Sequence, residues 1–181
     1  LEPNGSLALN FGDFLKTWPS AVSVPATLEC AMAMVRRTAP LSPLEDGAPP
    51  TCWQTNPTVV PLILPRPSLS LWLNQSTSLK SHPSSLVEAV LSPHYRPIDF
   101  DLKEPLSGTL ITRENGISAG DCTVELAQFL ISLQTPRGRS DLNDQLYALG
   151  AEQGEEDEIL TALCDDGLLM PRRITAPVRK T

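Results

Sequence analysis

Histidine, aromatic residues and long apolar runs are scarce in this sequence. The 181 residues include two histidines, His82 and His94, which form no H-x-x-H, H-x-D or H-E-x-x-H pattern. Aromatic residues make up 5% of the chain, so the core must consist mainly of leucine, valine, isoleucine and alanine. No apolar run approaches the roughly 20 residues that span a bilayer, and the N-terminus shows no signal peptide. These absences predict a soluble, cytoplasmic protein.

Paired cysteines and catalytic motifs are also missing. Cys30, Cys52, Cys122 and Cys164 are far apart and form no C-x-x-C, so neither a zinc site nor a disulfide framework is indicated. We expect free, buried thiols, with Cys122 and Cys164 inside helices. The chain has no P-loop, no G-x-S-x-G and no G-x-G-x-x-G. The sequence therefore predicts no catalytic residues, no metal ligands and no cofactor in this chain.

Basic residues are absent from a long stretch of the second half. Nine acidic residues and no basic one lie between Ser140 and Met170, and the whole chain has a formal charge of −7. This balance argues against a nucleic-acid partner, because phosphates repel carboxylates. Two alternatives stay open: a winged-helix transcriptional regulator that binds DNA through flanking arginines, and a generic protein–protein adaptor. The flanking arginines are Arg137, Arg139, Arg172 and Arg173.

Proline, by contrast, is abundant, with 18 residues in the chain. Eight prolines between Pro40 and Pro67 predict a linker or extended arm without regular structure. Helices are predicted around it. Their ranges are Ala8 to Trp18, Val24 to Arg37 (capped by Ser23, with Pro25 in the first turn), Ser68 to Asn74 and Pro83 to Ser92.

The second half has the pattern of a small antiparallel sheet. Alternating apolar and polar residues predict strands at Pro97 to Lys103 and at Ser107 to Gly116. The dipeptide Asn115-Gly116 favours a hairpin turn, after which Ile117 to Ala119 returns as a short third strand.

Three helices and a closing strand are predicted to follow this sheet. The first helix has an apolar face and begins near Ser118 or Asp121. The second is capped by Ser140 and ends at Gly150, and the third opens at Glu155 and ends at Gly167. Leu168 to Met170 closes the unit as a strand. The fold class is thus α+β, with a proline-rich partner-binding region in residues 1–95, a winged-helix domain in 96–171 and a tail in 172–181.

An edge of this sheet beside an acidic helix suits peptide binding, because an extended peptide can add to a free strand edge. The order of elements in "FDLKEPLSGTLITRENGISAGDCTVELAQFLISLQTPRGRSDLNDQLYALGAEQGEEDEILTALCDDGLLM" resembles the PqqD-like recognition element for ribosomal precursor peptides. The "NG" turn, the "TPRG" break and the final "ILTALCDDGLLM" carry the resemblance, which covers about 75 residues.

The resemblance implies a leader-binding site on the sheet and on the third helix. Its implied contacts on the sheet edge are either Thr109, Leu110, Ile111, Thr112 and Arg113 or Ile117 to Ala119, and those on the helix are Glu158, Ile159, Ala162 and Leu163. The chain is also similar to the small partner subunits of TIM-barrel multinuclear non-haem iron enzymes in the methanobactin and 3-thiaglutamate pathways. That similarity implies a non-catalytic subunit that presents the cysteine-containing core of a precursor peptide to an iron enzyme on another chain.

Overall fold

A computed structural model describes residues 20–39, 49–80, 104–113 and 116–173 of the chain. Within these ranges the protein is a mixed α+β structure with five helices and two small antiparallel sheets of three strands each, which confirms the predicted class. The elements are α1 (Ser20–Arg37), β1 (Cys52–Thr55), β2 (Val59–Pro65), α2 (Ser68–Lys80), β3 (Leu106–Arg113), β4 (Ile117–Cys122), α3 (Val124–Ser132), β5 (Arg137–Gly138), α4 (Arg139–Ala148), α5 (Glu156–Asp165) and β6 (Leu169–Arg172).

The first sheet has the strand order β5–β1–β6. Its middle strand, β1, pairs Trp53 with Arg137 of β5 on one side and with Pro171 of β6 on the other. The predicted closing strand is confirmed near its expected position, since β6 begins one residue later than expected and continues to Arg172.

The second sheet has the order β2–β3–β4. Its middle strand, β3, confirms the strand predicted after Ser107, and β4 confirms the short third strand, which extends to Cys122. The register places Ile111 between Val60 of β2 and Ala119 of β4.

The prediction that Pro40 to Pro67 lacks regular structure is wrong for the part that holds β1 and β2. A tight turn joins these two strands: the Asn56 side-chain oxygen accepts from the N–H of Thr58 at 3.0 Å and from its hydroxyl at 2.9 Å. The proline count alone misled, because proline is tolerated in a strand wherever its missing N–H would have pointed away from the partner strand.

Both sheets combine strands from the two halves of the sequence. β1 pairs with β5 and β6, and β2 pairs with β3, so pairing crosses residue 95 in each sheet. The assignment of separate roles to residues 1–95 and 96–171 stays a prediction. The elements predicted at Ala8 to Trp18, Pro83 to Ser92 and Pro97 to Lys103 lie outside the described residues.

The α1 helix begins one turn earlier than predicted. It starts at Ser20, so Pro25 lies inside the helix, and Ser23 is a helical residue rather than the cap. The predicted apolar face is confirmed, because Leu28, Ala31, Met32 and Val35 are all buried. The helix predicted from Ser68 to Asn74 is confirmed as α2, which continues to Lys80.

Helix α3 starts later than predicted. Thr123 is its N-cap, and the Thr123 side-chain oxygen accepts from the N–H of Leu126 at 3.1 Å. Ser118 and Asp121, the predicted caps, lie in β4 instead, and so does Cys122, which was expected to be helical. The sequence marked the apolar face of α3 and the start of the preceding strand, but not the continuation of that strand beyond Ala119 to Cys122.

The bounds of α4 and α5 follow their terminal glycines. Gly150 (φ 98°) and Gly167 (φ 68°) adopt the left-handed conformation that ends a helix, as predicted. The predicted cap Ser140 is wrong, since the N-cap of α4 is Gly138 and Ser140 is the second helical residue.

Two apolar clusters form on either side of the second sheet. The first contains α1, Leu64, Leu69 and Ile111, and the second contains Trp53, the apolar faces of α3, α4 and α5, and Leu169. Helix α3 connects the two sheets because it contacts β2 and β3 of one and β1 of the other.

Candidate peptide-binding edge of the second sheet

The direction of the backbone groups in the second sheet follows from two hydrogen bonds. The N–H of Arg113 donates to the Thr58 carbonyl at 3.1 Å, and the N–H of Arg66 donates to the Pro105 carbonyl at 2.9 Å. Bonded and non-bonded pairs alternate along antiparallel strands. In β3 the odd-numbered residues therefore bond to β2 and the even-numbered ones to β4. It follows that Ile117, Ala119 and Asp121 of β4 direct their N–H and C=O groups away from the sheet.

The outer edge of β4 carries a complete set of peptide groups. None of its six residues is proline, and each residue is half-buried or exposed. Within the described residues no backbone hydrogen bond leaves this side of β4. Three successive outward-facing residues offer an added strand three donors and three acceptors.

The opposite edge of the sheet, β2, is poorly suited to pairing. By the same alternation its outward residues are Val59, Pro61, Ile63 and Pro65. The two prolines have no N–H, and the N–H of Val59 already donates to the Asn56 carbonyl at 2.8 Å. Ile63 alone retains a donor, so β2 cannot support a ladder of bonds to another strand.

The edges of the first sheet are short or blunted as well. The N–H of Asn56 donates to the Leu168 carbonyl at 2.9 Å, which turns Leu169 and Pro171 of β6 outward. Pro171 has no N–H to offer, and β5 on the other edge consists of two residues. Among the described strands, β4 therefore has the most complete free edge.

The sheet contacts predicted at Thr109 to Arg113 are wrong as edge positions. These residues lie in β3, which is hydrogen-bonded on both sides, so a peptide cannot pair with them. The Arg113 guanidinium also has another role, because it donates to the carbonyl oxygens of Arg36 and Thr38 at the end of α1. The remaining predicted sheet position, Ile117 to Ala119, lies on the free edge.

The predicted contacts on the third helix lie in a different part of the molecule. Ile159 and Leu163 of α5 pack on the second apolar cluster, whereas Ile117 packs on the first. Glu158 and Ala162 are exposed on the surface of α5. The packing therefore does not favour a single groove lined by both the predicted sheet contacts and the predicted α5 contacts.

Most acidic residues at the start of α5 have local partners. Glu155 accepts from the N–H of Glu152, and Glu156, which is buried, accepts from the N–H of Gly154, each at 2.9 Å. These bonds satisfy donors ahead of a helix N-terminus, where negative charge is favourable.

The next acid of α5 engages one of the flanking arginines. Asp157 pairs with Arg139 at 2.7 Å, and the Arg139 guanidinium lies 5.7 Å from the centre of the Trp53 ring. Arg139 is one of the arginines on which the DNA-binding alternative depends. It already pairs with a carboxylate of α5, the helix that would contact DNA.

A cavity of about 610 Å³ opens where β4 ends. It lies between the turn after β2, the start of α2, the start of β3 and the first turn of α3. Its lining comprises Pro65, Arg66, Pro67, Ser68, Leu69, Leu106, Ser107, Thr109, Asp121, Cys122, Thr123, Val124 and Glu125. Sequence reasoning missed this cavity, since its walls come from three separate stretches of the chain, 65–69, 106–109 and 121–125.

The surroundings of Cys122 and Cys164 disfavour the reactive thiolate form. Burial raises the pKa of Cys122, and the neighbouring Asp121 carboxylate raises it further despite a backbone hydrogen bond from Ala127. Burial and Asp165 likewise raise the pKa of Cys164. All four cysteines are free, as predicted, but Cys52 alone is fully buried.

Within the described residues, no group of three or more histidine, cysteine, aspartate or glutamate side chains could hold a metal ion. The helices in the same part of the chain lack the combined length and apolar character that a bilayer crossing requires.

No protein-family model matches this chain, and no curated protein matches it.

Proposed function

We propose that this chain is a non-catalytic peptide-recognition subunit that binds an extended peptide as a fourth strand along β4. The observation that carries the proposal is the contrast between edges: β4 keeps every outward N–H, whereas β2 and β6 have proline at outward positions. Proline at outward positions is a common way to prevent unwanted pairing. A long edge left free beside such protected edges suits a deliberate binding site.

The mode of binding is β-strand addition. The outward groups of Ile117, Ala119 and Asp121 supply the main-chain hydrogen bonds that give affinity, and side-chain pockets beside the edge give specificity. The surrounding helices support the edge strand, because α1 and α2 contact β4 and α3 packs on the neighbouring strands β2 and β3.

The resemblance to PqqD-like recognition elements extends the proposal to the identity of the peptide. The proposal includes a winged-helix arrangement with β1 in the place of the returning wing strand, and the succession of α3, β5, α4, α5 and β6 around one small sheet supports it. In this proposal the peptide is the leader of a ribosomal precursor, and the chemistry belongs to a larger iron-dependent TIM-barrel enzyme. Binding the leader would raise the local concentration of the cysteine-containing core at that enzyme.

The test is selection of random twelve-residue peptides from a display library on the full chain. Selected peptides, made synthetically, should bind the wild-type protein and lose at least about tenfold in affinity for Ala119→Pro, because this change deletes one outward N–H. The change leaves the bonds to β3 intact, since Ala119 faces outward. Gly120→Ala is the matched control, because a methyl group at Gly120 meets nothing within 4 Å.

The same proposal predicts the effect of methylating the peptide. Only every second amide of the peptide faces β4. N-methylation of those amides should abolish binding, and N-methylation of the other amides should leave binding unchanged. Failure to select any peptide, or selection of peptides that bind Ala119→Pro as tightly as the wild type, would overturn the proposal.

A further inference from the structure

The cavity at the end of β4 combines acidic and buried polar groups around an apolar wall. Asp121 and Glu125 are exposed carboxylates on its lining, and neither forms an ion pair within the described part of the chain. Leu69, Leu106 and Val124 form apolar surface beside them, and Leu106 is 54% exposed although it is a large hydrophobic residue.

The Thr109 hydroxyl on the same wall has no hydrogen-bond partner among the described residues. Thr109 is 1% exposed and lines the cavity, yet its hydroxyl makes no hydrogen bond within residues 20–39, 49–80, 104–113 and 116–173. The hydroxyl is accessible from the cavity, so a ligand bound there can form the hydrogen bond that the described part of the protein does not supply.

The register brings Thr109 and Asp121 together. They are directly opposite each other in β3 and β4, and the alternation makes this a non-hydrogen-bonded pair. Side chains approach most closely in such pairs and project from the same face of the sheet. The unpartnered hydroxyl and the carboxylate therefore lie side by side.

We infer that this cavity binds the cationic side chain, lysine or arginine, of the peptide that pairs with β4. The inference rests on the proposed function and deepens it by naming a specificity determinant. Asp121 is one of the three residues whose outward groups meet the peptide, and the peptide side chain opposite it projects from the same face. The aliphatic stem packs on the leucines and Val124, and the charged end reaches Asp121, Glu125 and the Thr109 hydroxyl.

The charge of the lining favours a cation. Two carboxylates face one guanidinium, that of Arg66, which is exposed on the turn after β2. Ser107 is also buried on the lining, and its hydroxyl donates only a long bond of 3.3 Å to the Gly108 carbonyl, so it can turn toward a bound ammonium group.

The experiment compares peptides selected on the wild-type chain with those selected on Asp121→Asn/Glu125→Gln. Wild-type peptides should share a lysine or arginine, and its replacement by norleucine should weaken binding about tenfold, as expected for hydrogen bonds to a charged group. The double variant should bind the peptide with the basic residue and the peptide with norleucine with equal affinity. Asp165→Asn/Asp166→Asn, which makes the same charge change at the end of α5, is the control and should keep the preference.

A second arm titrates n-butylamine into the isotope-labelled full chain, which tests the cavity without a peptide. Amide signals of Asp121 and Glu125 should shift in the wild type and in the α5 control, but not in the double variant.

The outcomes separate the two proposals. Peptides that bind and are sensitive to Ala119→Pro, but show no basic preference, overturn the cation site alone. Butylamine shifts without any selected peptide overturn binding at the β4 edge and support the cation site as a receptor for free amines. The absence of both overturns both.

Discussion

The hydroxyl of Thr55 donates to the Leu130 carbonyl at 2.5 Å, joining residues 75 positions apart in the sequence. The N–H of Thr55 also donates to the Leu133 carbonyl at 2.9 Å, so β1 is fixed to the last turn of α3 by two bonds. Thr55 is buried. This contact ties a proline-rich segment of the first half to the helix between the two sheets.

Replacement of Thr55 by valine should destabilise the fold by about 1 kcal/mol, the typical net contribution of a buried hydrogen bond. The loss is limited because the Leu130 carbonyl still accepts from the N–H of Leu133. Chemical denaturation measures the change. Thr161→Val, at an exposed position of α5, is the control and should change stability by less than about 0.5 kcal/mol. Equal losses of stability for Thr55→Val and Thr161→Val would contradict a specific contribution of the hydrogen bond between β1 and α3.

A fragment of residues 96–181 should not fold alone. It lacks β1, the middle strand of the first sheet, and β2, one of the three strands of the second. Both clusters also lose buried residues, such as Val35 from the first and Trp53 from the second. Circular dichroism and amide-proton dispersion should indicate an unfolded chain, and addition of residues 1–95 should restore structure. A cooperative melting transition of the fragment alone would contradict the interwoven arrangement.

Gly108→Ala should destabilise the protein by about 1–3 kcal/mol, as overpacking of a core usually does. A methyl group there would press into the Thr123 carbonyl and lie 2.6 Å from the sulfur of Cys122. The backbone carbonyl cannot move aside as a flexible side chain would. Gly120→Ala, two register pairs away on β4, should be nearly neutral, because its surroundings are open. Thermal melting of both variants measures the difference.

Alkylation of Cys122 by iodoacetamide should require higher pH than alkylation of free cysteine. The thiolate is the reactive form, and a raised pKa lowers its fraction at every pH below that pKa. Asp121→Asn should move the rate profile to lower pH, since it removes a nearby negative charge. The profile should still lie above that of free cysteine, because burial is the larger cause. Peptide mapping by mass spectrometry follows this site, and a profile unchanged by the substitution would contradict the proximity of Asp121.

Local patterns predicted the helices of the second half well. The apolar spacing in α3 and the terminal glycines of α4 and α5 depend on neighbours within one or two turns, so the sequence reveals them directly. The same reasoning misplaced the caps at Ser118 and Ser140, because a side chain able to cap a helix can equally lie in a strand or in the first turn.

Pairing between distant segments was beyond such reasoning. β1 and β2 were predicted as linker, and Thr109 to Arg113 was predicted as an edge although it lies in the middle strand. The residues of a strand do not by themselves indicate whether it pairs with one neighbouring strand or with two. The role of Pro61 and Pro65 becomes clear only when the register shows that their missing N–H groups would point outward.

The sequence by itself determined the α+β class, the apolar faces of the helices and the strands at β3, β4 and β6, because hydrophobic periodicity and glycine conformation act over a few residues. Tertiary structure decided that β1 and β2 complete both sheets, that β4 keeps a free edge, and that Asp121, Glu125 and Thr109 share one cavity. Those relations arise from hydrogen bonds and packing between segments far apart in the chain, whose partners are fixed by the folded arrangement as a whole.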